Sequence, residues 1–373
     1  MGDAMTFNLK DIMSSLSDGV YVCDLDRRIT FWNESAERIT GWAAGDVIGS
    51  RCFDDILCHV DKDGHRLCGE EYCPLHRAMV TGTGTRAPLL VYALGKDGRR
   101  VPMMVNVAPI CDAGGRIIGG VETFRDATAM VHDLERAKVI QGLAMRHDLP
   151  EDPRVTFATH YIPHDIVGGD YYIIDRIDDH RYGVMLADVM GHGIAAALYT
   201  MHLSQLWDRF RGLARHPAAC ADRMNRELFR IMRGDSSFAA AVFGLLDLEE
   251  RVFRLAGAGG PEVLLAHADG THALLSSAGR PLGVDEDAPY EEAVSPVRRG
   301  DSILLFTDGA VEVMDASHEP LGTDGLITIL RAQGHPKNAV RMDTLEEELL
   351  KYSNAIRLED DLTLIEIRVG ESF

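Results

Sequence analysis

Aspartates recur at the ends of apolar segments that read as buried strands, a placement that suits a site for divalent cations. Asp188 follows the apolar run 182–186 and opens a glycine-rich turn at 189–193. The same pattern recurs in three other motifs, Gly168-Gly169-Asp170, Phe306-Thr307-Asp308-Gly309 and Glu359-Asp360-Asp361. Hard divalent cations prefer oxygen ligands such as carboxylates. The four motifs therefore predict a metal site at the edge of a sheet.

The expected strand pairing brings these aspartates together. A hairpin centred on Asp179 places Asp170 directly opposite Asp188, about 5 Å away across the strand pair. Two carboxylates at that separation repel each other unless a cation lies between them. If the two later runs are antiparallel neighbours, Asp308 and Asp360 share an edge in the same way.

Composition limits the class of protein. The 373 residues, 46% of them hydrophobic, suffice for two or three domains with cores of their own. The net charge of −20 (38 basic against 58 acidic residues) argues against general binding to nucleic acid or anionic membranes. No apolar run approaches a membrane span of about 20 residues, and residues 1–20 lack a signal-peptide pattern. The seven cysteines suggest no disulfide framework, so we expect a cytoplasmic protein.

The chain is predicted to be α+β, with a small domain at 1–126, a linking helix at 127–149 and a larger domain at 150–373. In the small domain, a helix at 34–40 follows the N-cap residue Asn33. Its predicted strands are 20–23, 29–32, 88–94, 100–110 and 116–123. In the larger domain, strands and helices alternate as in two sheets covered by helices. Its predicted strands are 155–161, 171–174, 182–188, 238–247, 252–256, 262–266, 302–306 and 362–369. Its predicted helices are 194–210, 217–233 and 344–352.

The linking helix has a stripe with alternating spacings of three and four, formed by Met130, Leu134, Ala137, Gln141 and Ala144. This spacing indicates a short parallel coiled coil, which would make the protein a homodimer. A helix packed on its own domain gives the same spacing and is an equal alternative. Pro150 and Pro153 then interrupt the helix and mark the domain boundary.

The small domain resembles a PAS sensory domain. The resemblance rests on the segment 29–42 (ITFWNESAERITGW), on Asp46-Val47-Ile48-Gly49, and on closing hairpins that end at Asp126-Ala127-Thr128. It implies sensing or dimerisation, but such a fold does not identify a ligand.

In the larger domain, the ordered acidic motifs are similar to those of metal-dependent protein serine/threonine phosphatases, the PPM family, and above all to its bacterial SpoIIE-like branch. The resembling segments within 150–369 are 161–163, 167–172, 187–193, 279–283, 304–310 and 360–364. The resemblance implies a C-terminal PPM-type αββα sandwich behind an N-terminal PAS domain and a helical linker.

The resemblance also implies two metal ions, typically Mn²⁺ or Mg²⁺. Asp188 would bridge them, and Asp170 with the backbone carbonyl of Val189 would hold the first ion. Such ions activate a water for attack on phosphorus, so no covalent nucleophile is needed.

Asp308 and Asp360 would hold the second ion. Asp361 completes the metal set from the next position, where support is expected rather than direct ligation. His192 is a candidate general acid, or else a residue that only shapes its turn.

These expectations point to a signal-regulated phosphatase that hydrolyses phosphoserine or phosphothreonine. By resemblance, its substrate is a STAS-type anti-sigma-factor antagonist. The alternative is a catalytically inactive sensory module that acts by docking. A nucleotide cyclase ranks third, because Gly168-Gly169-Asp170 is superficially similar to cyclase motifs but no second signature supports that activity.

Four of the seven cysteines fall in one short segment of the small domain, together with three histidines. They are Cys52, Cys58, Cys68 and Cys73. Thiolates at this density suit zinc or an iron–sulfur cluster. A redox disulfide and plain packing of buried thiols remain alternatives.

Overall fold

The computed structural model describes residues 8–69, 72–145, 148–191, 193–232 and 237–370. The chain divides into two compact units, Met1–Asp133 and Leu134–Phe373, so the boundary falls inside the linking helix. Within the described ranges, no helix has both the length and the apolar character needed to cross a membrane.

The first unit is built on a five-stranded antiparallel sheet with strand order β2-β1-β5-β4-β3. Its strands are β1 (Gly19–Asp24), β2 (Ile29–Trp32), β3 (Leu89–Leu94), β4 (Arg100–Cys111) and β5 (Ile117–Asp126). Its helices are α1 (Leu9–Ser15), α2 (Glu34–Thr40), α3 (Ala44–Val47) and α4 (Pro74–Thr81). Side chains from α2, α3 and α4 share one hydrophobic core with the sheet.

Local sequence explains helix α2. The side chain of Asn33 accepts a hydrogen bond from the backbone N–H of Ala36, which satisfies a donor at the helix start. Gly41 ends the helix with φ +74°, a left-handed conformation that glycine adopts without strain. The predicted bounds of α2 are confirmed.

The second unit contains the helices α5 (Thr128–Ala144, from its residue 134 on), α6 (Ile194–Phe210), α7 (Pro217–Met232), α8 (Gly322–Ala332) and α9 (Met342–Ser353). Its strands are β6 (Val155–Ile162), β7 (Asp170–Arg176), β8 (Arg181–Val189), β9 (Ala239–Asp247), β10 (Val252–Ala258), β11 (Val263–Ala266), β12 (His272–Leu275), β13 (Ala293–Pro296), β14 (Ser302–Phe306) and β15 (Leu362–Val369).

These elements form four layers. The two sheets have strand orders β13-β10-β9-β8-β7 and β12-β11-β14-β15-β6. One apolar core lies between the sheets and includes Val184, Ile303 and Ile365. A second core joins α6 and α7 to the first sheet, and a third joins α8 and α9 to the other sheet. The predicted α+β class and αββα sandwich are confirmed.

Helix α8 and the strands β12 and β13 were not predicted. Helix α8 begins at Gly322 without a side-chain cap, and its sequence is rich in Ile and Thr, which favour strands over helices. The two strands have only four residues each and lie at the outer edges of their sheets. Short edge strands leave little periodicity in a sequence.

Candidate metal centre

The hairpin of β7 and β8 places two aspartates opposite each other. Asp170 is the first residue of β7 and pairs with Asp188 near the end of β8, which is the predicted register. Asp170 is buried, whereas Asp188 is half-buried. The carbonyl oxygen of Val189 lies close to the Cα of Gly169 on the same edge. The hairpin therefore gathers three oxygen-bearing groups at one end of the sheet.

One carboxylate oxygen of Asp170 is held in place, and the other has no partner. Oδ2 accepts hydrogen bonds from the hydroxyls of Thr307, at 3.0 Å, and Thr363. Oδ1 is buried and has no hydrogen-bond partner among the described residues. A buried carboxylate oxygen without a partner costs about 1–3 kcal/mol or more. The free oxygen is therefore suited to an ion, and the donor set fits a hard divalent cation.

The second sheet brings its two acidic motifs to the same edge. Strands β14 and β15 are antiparallel neighbours, as predicted, and Phe306 pairs with Leu364. Asp308 lies two residues after the end of β14 and is half-buried, while Asp360 lies two residues before β15 and is exposed. The charges of both carboxylates act on Asp188. The acidic motifs of the two sheets therefore converge.

Asp361 has a different environment from its neighbour Asp360. Its Oδ1 accepts a hydrogen bond from the backbone N–H of His164 at 2.6 Å. Its Oδ2 accepts from the N–H groups of Gly169 and, at 3.3 Å, of Asp170. The side chain is 5% exposed. Both oxygens are engaged in fastening the loop before β7 to the start of β15.

Two motif glycines are explained by the closeness of this packing. A Cβ at Gly168 would overlap the Tyr161 hydroxyl and come within 2.6 Å of the Asp361 carboxylate. A Cβ at Gly309 would overlap the carbonyl oxygen of Asp361. Only glycine permits this approach of the backbone.

Negative charge accumulates at this edge. Burial, followed by the charges of Asp308 and Asp360, raises the pKa of Asp188 to about 7. Burial and neighbouring carboxylates also raise the pKa of Asp170, Asp308 and Asp361. No three carboxylate oxygens of this cluster lie within 4.8 Å of one another in the described structure.

A cavity of about 210 Å³ opens at the acidic edge. Its polar lining consists of Asp188, Thr307, Asp308 and Glu312. Its remaining wall is formed by backbone and small or apolar side chains of the segments 186–187, 240–242 and 259–261 and by Val311. A phosphoryl group could therefore reach the aspartates from this side.

Several residues of this site are not predicted by the acidic motifs. Thr307 and Thr363, which hold Asp170, stand beside aspartates in the quoted motifs, and that adjacency was the available signal. Glu312 lines the cavity, and its charge raises the pKa of both Asp188 and Asp308 after the larger effect of burial. Its spacing of four residues after Asp308 could have indicated a shared turn.

Gln141 of α5 reaches the loop that carries Asp170. Its amide nitrogen donates to the carbonyl of Gly168 at 2.7 Å and to the hydroxyl of Thr200 at 2.9 Å. The side chain is 4% exposed, whereas Val139 and Leu143 on the same helix are more than 60% exposed. At Gln141, helix α5 therefore packs on the second unit, to which this part of the helix belongs. Packing of the helix on its own domain is the alternative to the coiled coil predicted from the spacing. The homodimer stays a prediction.

The four cysteines of the small domain are not assembled into a metal site. The described part of the chain contains one group of three potential metal ligands whose ligand atoms, one from each side chain, all lie within 4.8 Å of one another. This group is Asp61, Asp63 and His65, and it includes no cysteine. Burial raises the pKa of Cys52, Cys68 and Cys73, which favours protonated thiols. Cys58 is partly buried and donates a hydrogen bond to a backbone carbonyl.

His192, the candidate general acid of the second unit, lies outside the described residues.

Comparison with protein families places both units. The family described as Stage II sporulation protein E (SpoIIE) matches residues 178–370, and the PAS fold matches residues 13–132. Phosphoserine phosphatase RsbP of Bacillus subtilis (strain 168) is 30% identical over 48% of this chain and 45% of its own length. Phosphoserine phosphatase RsbU of the same organism is 25% identical over 63% of this chain and 70% of its own. The chain thus spans less than half of RsbP.

Solved structures share the fold of the second unit. The SiaA-PP2C domain of Pseudomonas aeruginosa has a TM-score of 0.56 at 22% identity, covering 65% of this chain and 98% of that one. The PP2C phosphatase domain of SpoIIE from Bacillus subtilis, with a fragment of its regulatory domain, has a TM-score of 0.51 at 13% identity. That match covers 76% of this chain and 80% of the other.

Proposed function

Because the chain belongs to the SpoIIE family, we propose that it is a metal-dependent phosphatase that hydrolyses phosphoserine or phosphothreonine on a protein substrate. The observation that carries the proposal is the convergence of four acidic motifs beside one cavity. Within it, one carboxylate oxygen of Asp170 is fixed by two threonines, and the other has no hydrogen-bond partner among the residues that the structure describes.

Two divalent cations, Mn²⁺ or Mg²⁺, would be held at this edge. Asp170 and the carbonyl of Val189 would hold one ion, and Asp188 would contact both. Asp308 and Asp360 would hold the other, since both stand at the end of the β14–β15 pair. Bound there, the cations supply the positive charge that activates the attacking water and stabilises the phosphoryl oxygens.

The protein's own residues orient this centre. Thr307 and Thr363 fix the Asp170 carboxylate, and Asp361 fastens the loop on which Asp170 lies. Among the described residues that line the cavity, none is Lys or Arg. The charge of a bound phosphoryl group would therefore be balanced by the cations, with Glu312 and Asp308 opposing any anion that arrives without them.

A phosphorylated protein of the STAS class is the proposed substrate. The support is the resemblance to the SpoIIE-like branch and the similarity to RsbP and RsbU, both named phosphoserine phosphatases. A catalytically inactive docking module is the weaker alternative, because every residue expected to hold a cation is present.

The seven free cysteines fit a reducing compartment such as the cytoplasm.

The test is phosphate release by the full-length chain. With Mn²⁺ or Mg²⁺ present, we expect hydrolysis of a phosphoserine-bearing STAS protein and loss of that hydrolysis on addition of EDTA. Hydrolysis of other phosphoserine proteins but not the STAS protein would support the phosphatase and reject the substrate. Binding of the STAS protein with no phosphate release under either metal would instead favour the docking module.

Gln141 offers a test of control by the linking helix. We propose that its contacts with Gly168 hold the Asp170 loop in position for the cations. Gln141→Leu keeps the side-chain size but leaves the buried carbonyl of Gly168 without this donor, which costs about 1–3 kcal/mol. We expect weaker activation by Mn²⁺, seen as a higher metal concentration at half-maximal activity.

The matched control is Glu135→Gln on the exposed side of the same helix. It should leave metal activation unchanged. An unchanged Mn²⁺ dependence in Gln141→Leu would show that the contact has no part in assembling the site.

A further inference from the structure

A second buried polar centre lies inside the PAS unit, where His59 and Glu122 face each other. His59 is 4% exposed and Glu122 is 2% exposed. His59 Nε2 and Glu122 Oε1 are 3.6 Å apart, and neither atom has a hydrogen-bond partner within the described part of the chain. The distance is too long for a hydrogen bond, which needs about 2.7–3.2 Å. Two unpartnered polar atoms therefore point at one place in a core.

Other polar groups of this core contact the same two residues. The other oxygen of Glu122, Oε2, accepts a hydrogen bond from the Tyr21 hydroxyl at 3.2 Å. The Sγ atom of Cys68 accepts one from the backbone N–H of His59 at 3.0 Å. Cys23, Cys52, Cys68 and Cys73 are buried free thiols. Burial raises the pKa of each thiol, and the nearby charge of Glu122 raises it further. The carboxylate is thus within electrostatic reach of all four sulfur atoms.

The separation of the two unpartnered atoms matches an edge of a metal-coordination tetrahedron. Zinc binds histidine nitrogen and carboxylate oxygen at about 2.1 Å, so two such ligands in tetrahedral geometry lie about 3.4 Å apart. Nitrogen, oxygen and thiolate sulfur together form a donor set typical of zinc. Buried polar atoms in a native core generally have a partner, and one ion bound between His59 and Glu122 would satisfy both atoms.

We propose that His59 and Glu122 bind a zinc ion in the core of the PAS unit, with the thiol of Cys52 or Cys73 as a further ligand. The structure places no sulfur within 4.8 Å of both atoms, so binding draws one of these side chains inward by rotation. The carboxyl and thiol protons are released as the ion binds. The site differs from the four-cysteine set, because its two anchoring ligands are a histidine and a glutamate.

This inference is independent of the proposed phosphatase activity, and its test measures metal content. Full-length protein produced with zinc is treated with a chelating resin and analysed for metal. We expect one zinc per chain in the wild type and in Asp188→Asn, which alters only the acidic centre of the other unit. Glu122→Gln and His59→Gln, both close in size to the original side chains, should lose it.

Cobalt supplies a second readout. Metal-free wild type titrated with Co²⁺ should develop the visible bands of a tetrahedral site and a near-ultraviolet band from thiolate. Cys52→Ala combined with Cys73→Ala should remove the near-ultraviolet band. Folding of each variant is checked by thermal unfolding without metal, where the variants should match the metal-free wild type.

Several results would overturn the proposal. If the wild-type protein bound neither Zn²⁺ nor Co²⁺, the metal site would be refuted. Glu122 and His59 would then share a proton in the native state. Retention of zinc by a folded Glu122→Gln would remove the anchoring role. Loss of zinc in Asp61→Asn alone would move the ion to the loop of Asp61, Asp63 and His65.

Discussion

Replacing Asp188 by asparagine is expected to lower Mn²⁺-dependent phosphate release on the order of 100-fold or more, a loss comparable to removing one main electrostatic group from an active site. Asparagine keeps the size of the side chain but removes the charge that would hold both cations. Because burial and neighbouring carboxylates raise the pKa of Asp188 to about 7, its charge is disfavoured in the metal-free protein. The metal-free variant should therefore unfold at the same temperature as wild type or higher.

Asp179→Asn is the matched control for this variant. Asp179 lies at the turn of the same hairpin, at the opposite end from Asp170 and Asp188, and its side chain is 91% exposed. It should leave both activity and unfolding temperature unchanged. Wild-type activity with Mn²⁺ in Asp188→Asn would refute the bridging assignment.

The second large effect is expected for Asp361→Asn, and it concerns stability first. The two carboxylate oxygens of Asp361 accept hydrogen bonds from three backbone N–H groups. An amide presents its NH₂ group to at least one of these donors and leaves it unsatisfied in a buried site, at a cost of about 1–3 kcal/mol. For a domain of this size, each kcal/mol lowers the unfolding temperature by about 2–4 °C. Activity should also fall, because the Asp170 loop loosens.

Asp360→Asn separates the two adjacent aspartates. Asp360 is proposed to hold a cation, so its replacement should reduce metal-dependent activity. Because the side chain is exposed, the unfolding temperature should change little. Calorimetry on the two metal-free variants measures the difference. If Asp361→Asn unfolded at the wild-type temperature and only its metal affinity fell, Asp361 would be a direct ligand and not a fastening residue.

The sequence was most informative where one residue pattern served both fold and site. The polar turn around Asp179 fixed the register that pairs Asp170 with Asp188, since a slip of one residue would move every side chain to the other face. The run before Asp308 and the run after Asp361 are mostly apolar, and the two strands that they form are buried along nearly their whole length. Pattern alone therefore located the acidic edge.

Contacts between distant segments were not accessible in the same way. Gln141 lies on a helix whose spacing suits either a coiled coil or intramolecular packing, and only the fold distinguishes them. The cysteines at 52–73 are close in sequence, yet Cys52 and Cys73 belong to the hydrophobic core while Cys58 is only partly buried, and the described residues show no group of three metal-ligating atoms that includes any of them. His59 and Glu122 are far apart in sequence and face each other because Val60, next to His59, bridges to Tyr92 of the sheet that carries Glu122. Clustering of cysteines in the sequence is therefore a weak guide to which side chains lie close together in the folded core.

The central claim is that one acidic edge of the second unit holds two divalent cations. Anomalous diffraction at the manganese edge from crystals of the full-length chain grown with Mn²⁺ tests it most directly. The account predicts two manganese peaks beside Asp188, one next to Asp170 and the Val189 carbonyl, the other next to Asp308 and Asp360. No manganese peak at these carboxylates, in a protein that still releases phosphate with Mn²⁺, would contradict it.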